Sequence, residues 1–317
     1  MTKDAALVNV FLKALLEDKV EDVRAGVAEA FRRMKQKPKA AIPAFLKALK
    51  DSNCRVRTGA ACCVAETVKV GVAAPAILEA LKGFQDTGTL LIQPAEALAA
   101  MGDPAVPFLV KALSDKDKVV REGAVMALGY VKRGSPAVIR AIPAIIKLLR
   151  DKESDVRFSA CGTVWMLGEA ASGAVPDLIH LLDDEDPYVR SWAAFALSEI
   201  GPAAAQAVPR LIKALKDKDR AMRRYAADVL AAIGHAAKAA VPALIEALKD
   251  EDLRRSAISA LGAIGPDAKS AIPALQELQG PDEDLNFRVS VSIQWILRRP
   301  MPLPPLGLVP VIRRPPR

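Results

Sequence analysis

The sequence has few of the residues that catalytic and metal sites use. Of its 317 residues only two are histidines, His180 and His235, and only four are cysteines. The cysteines, at positions 54, 62, 63 and 161, form no CxxC pair, which excludes a zinc or redox motif of the usual spacing. Walker A, GxGxxG, GxSxG and HExxH motifs are absent as well. We therefore expect reduced cysteines, no catalytic residue, no metal and no cofactor.

Aromatic residues and long apolar runs are also scarce. Aromatics make up 4% of the chain, whereas apolar residues make up 51%, so the core must consist of Ala, Leu, Val and Ile. This composition favours closely packed helices over strands. The run "MPLPPLGLVPVI" is shorter than the roughly 18–20 residues that cross a bilayer and is interrupted by prolines. The amino terminus carries Asp4 and Glu17 and lacks a signal-peptide cleavage site. We expect a cytoplasmic, monomeric protein without a membrane partner.

Positive charge is concentrated in the amino-terminal half. Residues 1–150 contain 24 basic and 15 acidic residues, a net charge of +9, whereas residues 151–299 contain 18 and 22, a net charge of −4. A basic half indicates an anionic partner, and a solvated lysine-rich surface is the alternative.

The chain repeats itself about eight times. Prolines in IP, VP or AP dipeptides recur at intervals of 32, 32, 36, 33, 33, 33 and 31 residues, at Pro43, Pro75, Pro107, Pro143, Pro176, Pro209, Pro242 and Pro273. An arginine follows nearly the same step, with Leu91 in its place in the third repeat, at Arg24, Arg57, Arg121, Arg157, Arg190, Arg223, Arg254 and Arg288. A period of about 33 residues predicts a stacked solenoid.

Each repeat predicts two helices. In "DEDPYVRSWAAFALSEIG", Asp186 is a suitable N-cap, Pro187 suits the first helical position, and Gly201 ends the helix. The second helix, "AVPRLIKALKD", has Pro209 in its first turn, where the missing amide would have no partner. Alanine pairs after the arginines, such as Ala193-Ala194, allow close helix contacts. A single pair cannot bury its own apolar face, so the repeats must stack.

These motifs resemble HEAT repeats of the short bacterial kind, first described in phycobilisome-lyase-like proteins. The resemblance rests on "AAxALxxIG", on "A-I/V-P-A-L-I-x-A-L-K-D" and on an aspartate six residues before most of the arginines. It implies an all-α, right-handed α-solenoid of about eight to nine repeats over residues 1–299. It also implies that the second helices line the concave face. The Asp/Arg pairs would form a polar ladder between repeats, with each exposed pair worth about 0–1 kcal/mol, at Asp18/Arg24, Asp51/Arg57, Asp115/Arg121, Asp151/Arg157, Asp184/Arg190 and Asp217/Arg223.

Three segments depart from the repeat. In the third repeat Pro94 falls inside the first helix, which predicts a short helix. The fourth repeat gains about three residues and the cations Lys132, Arg133 and Arg140, and insertions in solenoids often mark a binding face, with random drift as the alternative. Residues 300–317 are proline-rich, which predicts a tail without fixed structure or a PxxP docking peptide.

The position four residues after each second-helix proline, and the position one turn later, are rich in cations. If the second helices line one face, these cations form a basic stripe that can bind a partner, and a merely solubilising role for the lysines is the alternative. The basic stripe consists of Lys47, Lys50, Lys82, Lys111, Lys147, Arg150, Lys213 and Lys216.

A second candidate surface is aromatic. Large rings crowd repeats five to seven, some at positions where other repeats have Gly or Ser, and such rings can anchor a partner or pack between helices. This aromatic patch consists of Phe158, Trp165, Tyr188, Trp192, Phe195 and Tyr225. Trp295, by contrast, is predicted to fill the leucine position of its helix in the core.

Together these features predict a non-enzymatic scaffold that binds a protein partner, with acidic character, along the concave face. Sequence-independent binding of nucleic acid or another polyanion is one alternative. A lyase or chaperone-like subunit for bilin attachment is another, and it rests on the repeat resemblance alone. The sequence does not identify the partner.

Overall fold

The computed structural model describes residues 3–84 and 89–297 and contains eighteen α-helices and no strand in those ranges. The all-α prediction is therefore confirmed, and the fold is an α-solenoid. The predicted tail, residues 300–317, lies outside the described residues.

The first helices of the repeats form one layer and the second helices form another. The first helices are α2 (Glu21–Arg33), α4 (Cys54–Thr67), α6 (Thr89–Ala100), α8 (Lys118–Tyr130), α10 (Ser154–Leu167), α12 (Pro187–Ile200), α14 (Arg220–Ile233), α16 (Glu251–Ile264) and α18 (Glu283–Ile296). The second helices are α3 (Ile42–Ala48), α5 (Val70–Ala80), α7 (Val106–Ala112), α9 (Pro136–Lys147), α11 (Val175–Leu181), α13 (Val208–Ala214), α15 (Val241–Ala247) and α17 (Ile272–Gln276), and α1 (Lys3–Glu17) precedes them all. Repeat one is α2 with α3, and repeat eight is α16 with α17.

The two layers pack differently. Neighbouring first helices contact each other directly along their length, whereas the second helices after α9 contact each other mainly through 3-10 turns. Alanines allow the close approach, because Ala193, Ala194, Ala226 and Ala227 are all fully buried. One continuous apolar core extends from Leu15 to Ile296.

Local signals in the sequence explain the helix ends. The Asp186 side chain accepts a hydrogen bond from the Tyr188 amide and caps α12, and Pro187 occupies the first turn. Gly201 ends α12 with φ of 67°, a backbone conformation that favours glycine. A 3-10 turn then leads into α13, where Pro209 lies in the first turn.

The first helix of the third repeat is slightly shorter than the other first helices, which have 13 or 14 residues, but Pro94 does not end it. Helix α6 spans 12 residues and contains Pro94 in its interior. Pro94 has no amide to donate to the carbonyl of Leu90, and the Thr58 hydroxyl of the neighbouring helix α4 donates to that carbonyl instead, at 3.4 Å. A side chain from the adjacent repeat thus replaces the missing backbone donor.

The final repeat corrects two predictions. Asn286, and not Arg288, occupies the arginine position of α18, because its side chain bonds the backbone of Gly280 six residues earlier. The register therefore shifts by two residues. Ile293 takes the leucine position, whereas Trp295 is 47% exposed and is not a core residue.

The segment of residues 220–247 is long and apolar enough to cross a membrane, which was not predicted from the sequence. It does not form one straight helix, because Gly234 has φ of 65° and a 3-10 turn follows it. The segment comprises α14 and α15, the two helices of repeat seven, and both contribute buried residues to the core.

Candidate partner-binding site

A ladder of ion pairs connects neighbouring repeats. The Arg121 guanidinium donates from Nε and Nη2 to the two carboxylate oxygens of Asp151, at 2.7 and 2.8 Å. Its Nη1 donates to the backbone carbonyl of Asp115, six residues earlier, at 2.9 Å. Arg24, Arg157, Arg190 and Arg223 likewise bind the backbone of their own repeat and a carboxylate of the next, as the resemblance implied. Arg57 does not: it donates to the backbone carbonyls of Asp51 and Ala80 and lies over the Phe84 ring.

The ladder differs from its prediction in burial. The side chains of Arg121 and Asp151 are only 8% and 9% exposed, and the pairs Arg24–Asp51 and Arg157–Asp184 are similarly covered. The expectation of exposed pairs worth little is therefore wrong for these three. Arg190 and Arg223 are more exposed and make looser pairs, at 3.6 Å to Asp219 and 3.3 Å to Asp250. These arginines hold repeats together and do not offer charge to a partner.

The cysteines and histidines form no reactive site in the described part of the chain. Burial raises the pKa of Cys62 to about 11 and of Cys63 to about 12, so both thiols are neutral at physiological pH. Cys161 is buried, and its pKa is raised for the same reason. His235 is exposed in a turn with Nδ1 2.8 Å from Asp267. No cluster of three or more His, Cys, Asp or Glu side chains suited to a metal ion occurs within residues 3–84 and 89–297.

All eight residues of the basic stripe are exposed on the second helices or directly after them. Two of them have acidic partners: Lys82 pairs with Glu79 at 2.6 Å, and Arg150 pairs with Asp177 of the next repeat. Among the described residues, no carboxylate forms an ion pair with the other six, which are Lys47, Lys50, Lys111, Lys147, Lys213 and Lys216. Their charge is available to a partner.

Repeat five interrupts the basic stripe. Its helix α11 presents Asp177 and its following turn presents Asp183, with the exposed His180 between them in sequence. Arg150 of repeat four pairs with Asp177, and Arg210 of repeat six pairs with Asp183, at 3.1 Å between Nε and Oδ2. The hydrogen bond from Arg210 holds the pKa of Asp183 below its ordinary value. The sequence analysis did not single out Arg210. A repeated spacing could have indicated it, because Arg210 lies 27 residues after Asp183, just as Asp177 lies 27 residues after Arg150.

The aromatic patch lies on the other layer. Its rings belong to the first helices α10, α12 and α14, so the patch and the basic stripe cannot form one site. Trp192 stands at its centre, in edge-on contact with Phe158, Trp165 and Phe195 at centroid distances of 5.4, 6.0 and 5.8 Å. Phe195 in turn contacts Tyr225 at 5.2 Å.

Only part of the aromatic patch is accessible. Trp165 is 39% and Tyr188 is 56% exposed, whereas Phe158, Trp192, Phe195 and Tyr225 are half-buried. Trp192 lies over Gly162, where a Cβ would be 3.7 Å from the indole ring, an ordinary van der Waals distance. Two of the six rings are therefore candidates for partner contact, and the other four pack between neighbouring first helices.

The extra residues of the fourth repeat lengthen its second helix. Ser135 caps α9 by accepting from the Val138 amide, and its hydroxyl bonds Asp103 at 2.6 Å. Arg133 extends across to Glu199, with 3.3 Å between Nη2 and Oε1. These contacts give the insertion a structural role. That it marks a binding face stays a prediction.

The chain belongs to the HEAT-repeat family. The family's sequence profile, described as HEAT repeats, matches residues 74–161, 142–208 and 208–290. Solenoids of this kind are typically non-enzymatic scaffolds that bind proteins. The bacterial and phycobilisome-lyase-like character implied by the resemblance has no such support.

Solved structures agree on the fold. An engineered protein is similar over 93% of this chain and 89% of its own, with 25% identity and a TM-score of 0.56. The X-ray structure of YibA from E. coli is similar over 94% of this chain and 98% of its own, with 19% identity and a TM-score of 0.54. No curated protein matches the chain in sequence.

Proposed function

We propose that this protein is a scaffold that binds an acidic protein segment along its second-helix layer. The observation that carries the proposal is the set of six exposed lysines of the basic stripe that have no ion-pair partner among the described residues. Unpaired like charges in one row repel each other, and an acidic partner relieves that repulsion. Such a row also raises the local concentration of an acidic partner and speeds its association.

The proposal predicts that reversing the charge of Lys111, Lys147, Lys213 and Lys216 to glutamate abolishes most partner binding. We expect the dissociation constant to rise about 10- to 100-fold, mainly through slower association, because four attractive contacts become repulsive. The partner is first recovered by affinity capture from native lysate at two salt concentrations. Its binding is then measured by surface plasmon resonance.

A second fourfold variant controls for net charge. Lys39, Lys69, Lys238 and Lys269 are exposed at the turns that lead from first to second helices, and no ion pair involves them within the described residues. Changing these four to glutamate gives the same net charge but leaves the basic stripe intact, so binding should persist. Equal losses in the two variants, or wild-type binding by the stripe variant, contradict the proposal. If duplex DNA is captured instead, and the logarithm of its affinity falls with the logarithm of the salt concentration by about 0.9 per neutralised phosphate, the partner is a nucleic acid and not a protein.

The aromatic patch is proposed as a second contact surface through its two accessible rings. The double variant Trp165→Ser with Tyr188→Ser should lower the free energy of unfolding by about 1–2 kcal/mol, because Trp165 loses its edge-on contact with Trp192, and should weaken partner capture. Trp192→Ala should instead cost about 2–4 kcal/mol, because it removes three ring contacts. Thermal melts and capture of the same partner measure both effects. Undiminished capture by the double variant would assign the whole patch to packing.

A further inference from the structure

The interruptions of the basic stripe carry information about the shape of its partner, provided that the function proposed above holds. In repeats two and seven the cations have acidic partners within the same turn, Lys82 with Glu79 and Lys249 with Glu246, at 2.6 and 3.0 Å. In repeat five both carboxylates are held by arginines of the adjacent repeats. Unpaired lysines remain in repeats one, three, four and six.

The spacing of the second helices sets the distance between these lysines. Packed helices lie about 8–10 Å apart. Helices α7 and α9 contact each other directly, and α9, α11 and α13 contact each other through the 3-10 turns between them, so neighbouring second helices are packed at about this spacing. A chain in the extended polyproline II conformation rises about 3.1 Å per residue and makes one turn every three residues, so every third side chain lies on the same face and successive ones are about 9 Å apart, which matches one repeat.

We infer that the partner is an extended protein segment whose acidic residues follow a three-residue step and skip the position opposite repeat five. Acidic side chains then face Lys111 in repeat three, Lys147 in repeat four and Lys213 in repeat six. An uncharged side chain faces His180 between the two paired carboxylates Asp177 and Asp183. A nucleic acid has a phosphate on every nucleotide and cannot leave this position uncharged, so the pattern favours a protein.

Synthetic peptides test the step by fluorescence anisotropy. The matched peptide carries glutamates at positions 1, 4 and 10 in a Ser/Gly background, and the opposite chain direction corresponds to positions 1, 7 and 10. Controls carry three glutamates in succession, or at positions 1, 3 and 7 for a two-residue step. One of the two matched peptides should bind about tenfold tighter than both controls, since three exposed ion pairs form together. Tighter binding of either control would overturn the inference.

A fourth glutamate at the skipped position separates the inference from simple charge attraction. Added opposite repeat five, it approaches the exposed carboxylate of Asp183, whereas the Asp177 side chain is only 12% exposed, and should weaken binding about threefold. Attraction between net charges alone would tighten binding instead. In the double variant Asp177→Asn with Asp183→Asn, Arg150 and Arg210 lose their partners, and the four-glutamate peptide should become the tightest ligand. If the four-glutamate peptide binds the wild-type protein most tightly, the inference that the partner skips the position opposite repeat five is wrong.

The same measurements distinguish this inference from the function on which it rests. If all acidic peptides bind the wild type equally and the fourfold stripe variant binds none of them, the three-residue step is wrong, but the proposal of an acidic protein partner is supported. If a single-stranded oligonucleotide binds tighter than every peptide, the partner class is wrong. If no peptide binds and the stripe variant captures all partners as wild type does, both proposals fail.

Discussion

Replacing Asp151 with alanine is expected to lower the free energy of unfolding by about 3–5 kcal/mol, because it leaves the Arg121 guanidinium buried without its carboxylate. The pair is almost inaccessible to water, so solvent cannot replace the two hydrogen bonds that Asp151 accepts from Arg121. Asp151 also accepts from the Glu153 amide at 3.0 Å, and that bond is lost as well. The substitution weakens the junction between repeats four and five.

A weakened junction should also divide the unfolding transition, because the stability of a solenoid depends on nearest-neighbour contacts. All three tryptophans, Trp165, Trp192 and Trp295, lie beyond this junction in the sequence. Tryptophan fluorescence therefore reports on repeats five onward, whereas far-ultraviolet circular dichroism reports on every helix. In urea the two signals should coincide for the wild type and separate for Asp151→Ala. Coincident curves with a loss below about 1 kcal/mol would show that the ladder is not a main source of coupling.

An exposed ion pair provides the control. Arg220 lies 2.5 Å from Asp252, but their side chains are 72% and 43% exposed. Arg220→Ala should therefore change stability by no more than about 0.5–1 kcal/mol.

The pH dependence of stability gives a second measure of the same pair. Burial raises the pKa of Asp151, but hydrogen bonds from Arg121 and from the Glu153 amide outweigh it, so the pKa lies below its ordinary value. A lowered folded-state pKa contributes stability that is present above the unfolded pKa, near 4, and is lost as the pH falls through the folded value. Wild-type stability should fall below about pH 4. The part of that fall due to Asp151 should be missing in Asp151→Ala.

The sequence predicted the features that recur in every repeat, because repetition makes a physical requirement visible. Helix caps, the first-turn prolines and the ladder arginines each appear many times, and their local chemistry determines the local structure. Irregular positions were predicted less well. Nothing in the sequence indicated that Thr58 would provide the donor that Pro94 lacks, or that a two-residue shift would expose Trp295.

The basic stripe illustrates the same limit for function. Its membership follows from a repeated position, but the charge available to a partner depends on contacts between repeats. Arg150 belongs to the stripe by position, yet Asp177 of the next repeat pairs with it. Only the arrangement of neighbouring helices distinguishes it from Lys147.

One column of the alignment leads to the last prediction. The position two residues after the ladder arginine holds Gly26 in repeat one, Gly59 in repeat two and Trp192 in repeat six. A Cβ at Gly59 would lie 2.8 Å from Ala28 Cβ and 3.0 Å from the Ala28 backbone carbon, so helix α2 itself is in the way. A Cβ at Gly26 meets no atom within 4 Å. Close packing against helix α2 therefore requires glycine at position 59, whereas no steric contact requires it at position 26.

Gly59→Leu should therefore destabilise the protein by about 3 kcal/mol or more, because helices α2 and α4 must separate and the core between them opens. Gly26→Leu should instead stabilise it by about 0.5–1 kcal/mol, because leucine forms helix more readily than glycine and space is open. Urea denaturation of the two variants against wild type measures the difference, which should be about 3–4 kcal/mol with opposite signs. Similar values for the two substitutions would show that the glycines follow helix propensity alone, and that the first-helix layer is not packed as closely as Ala28 and Gly59 indicate.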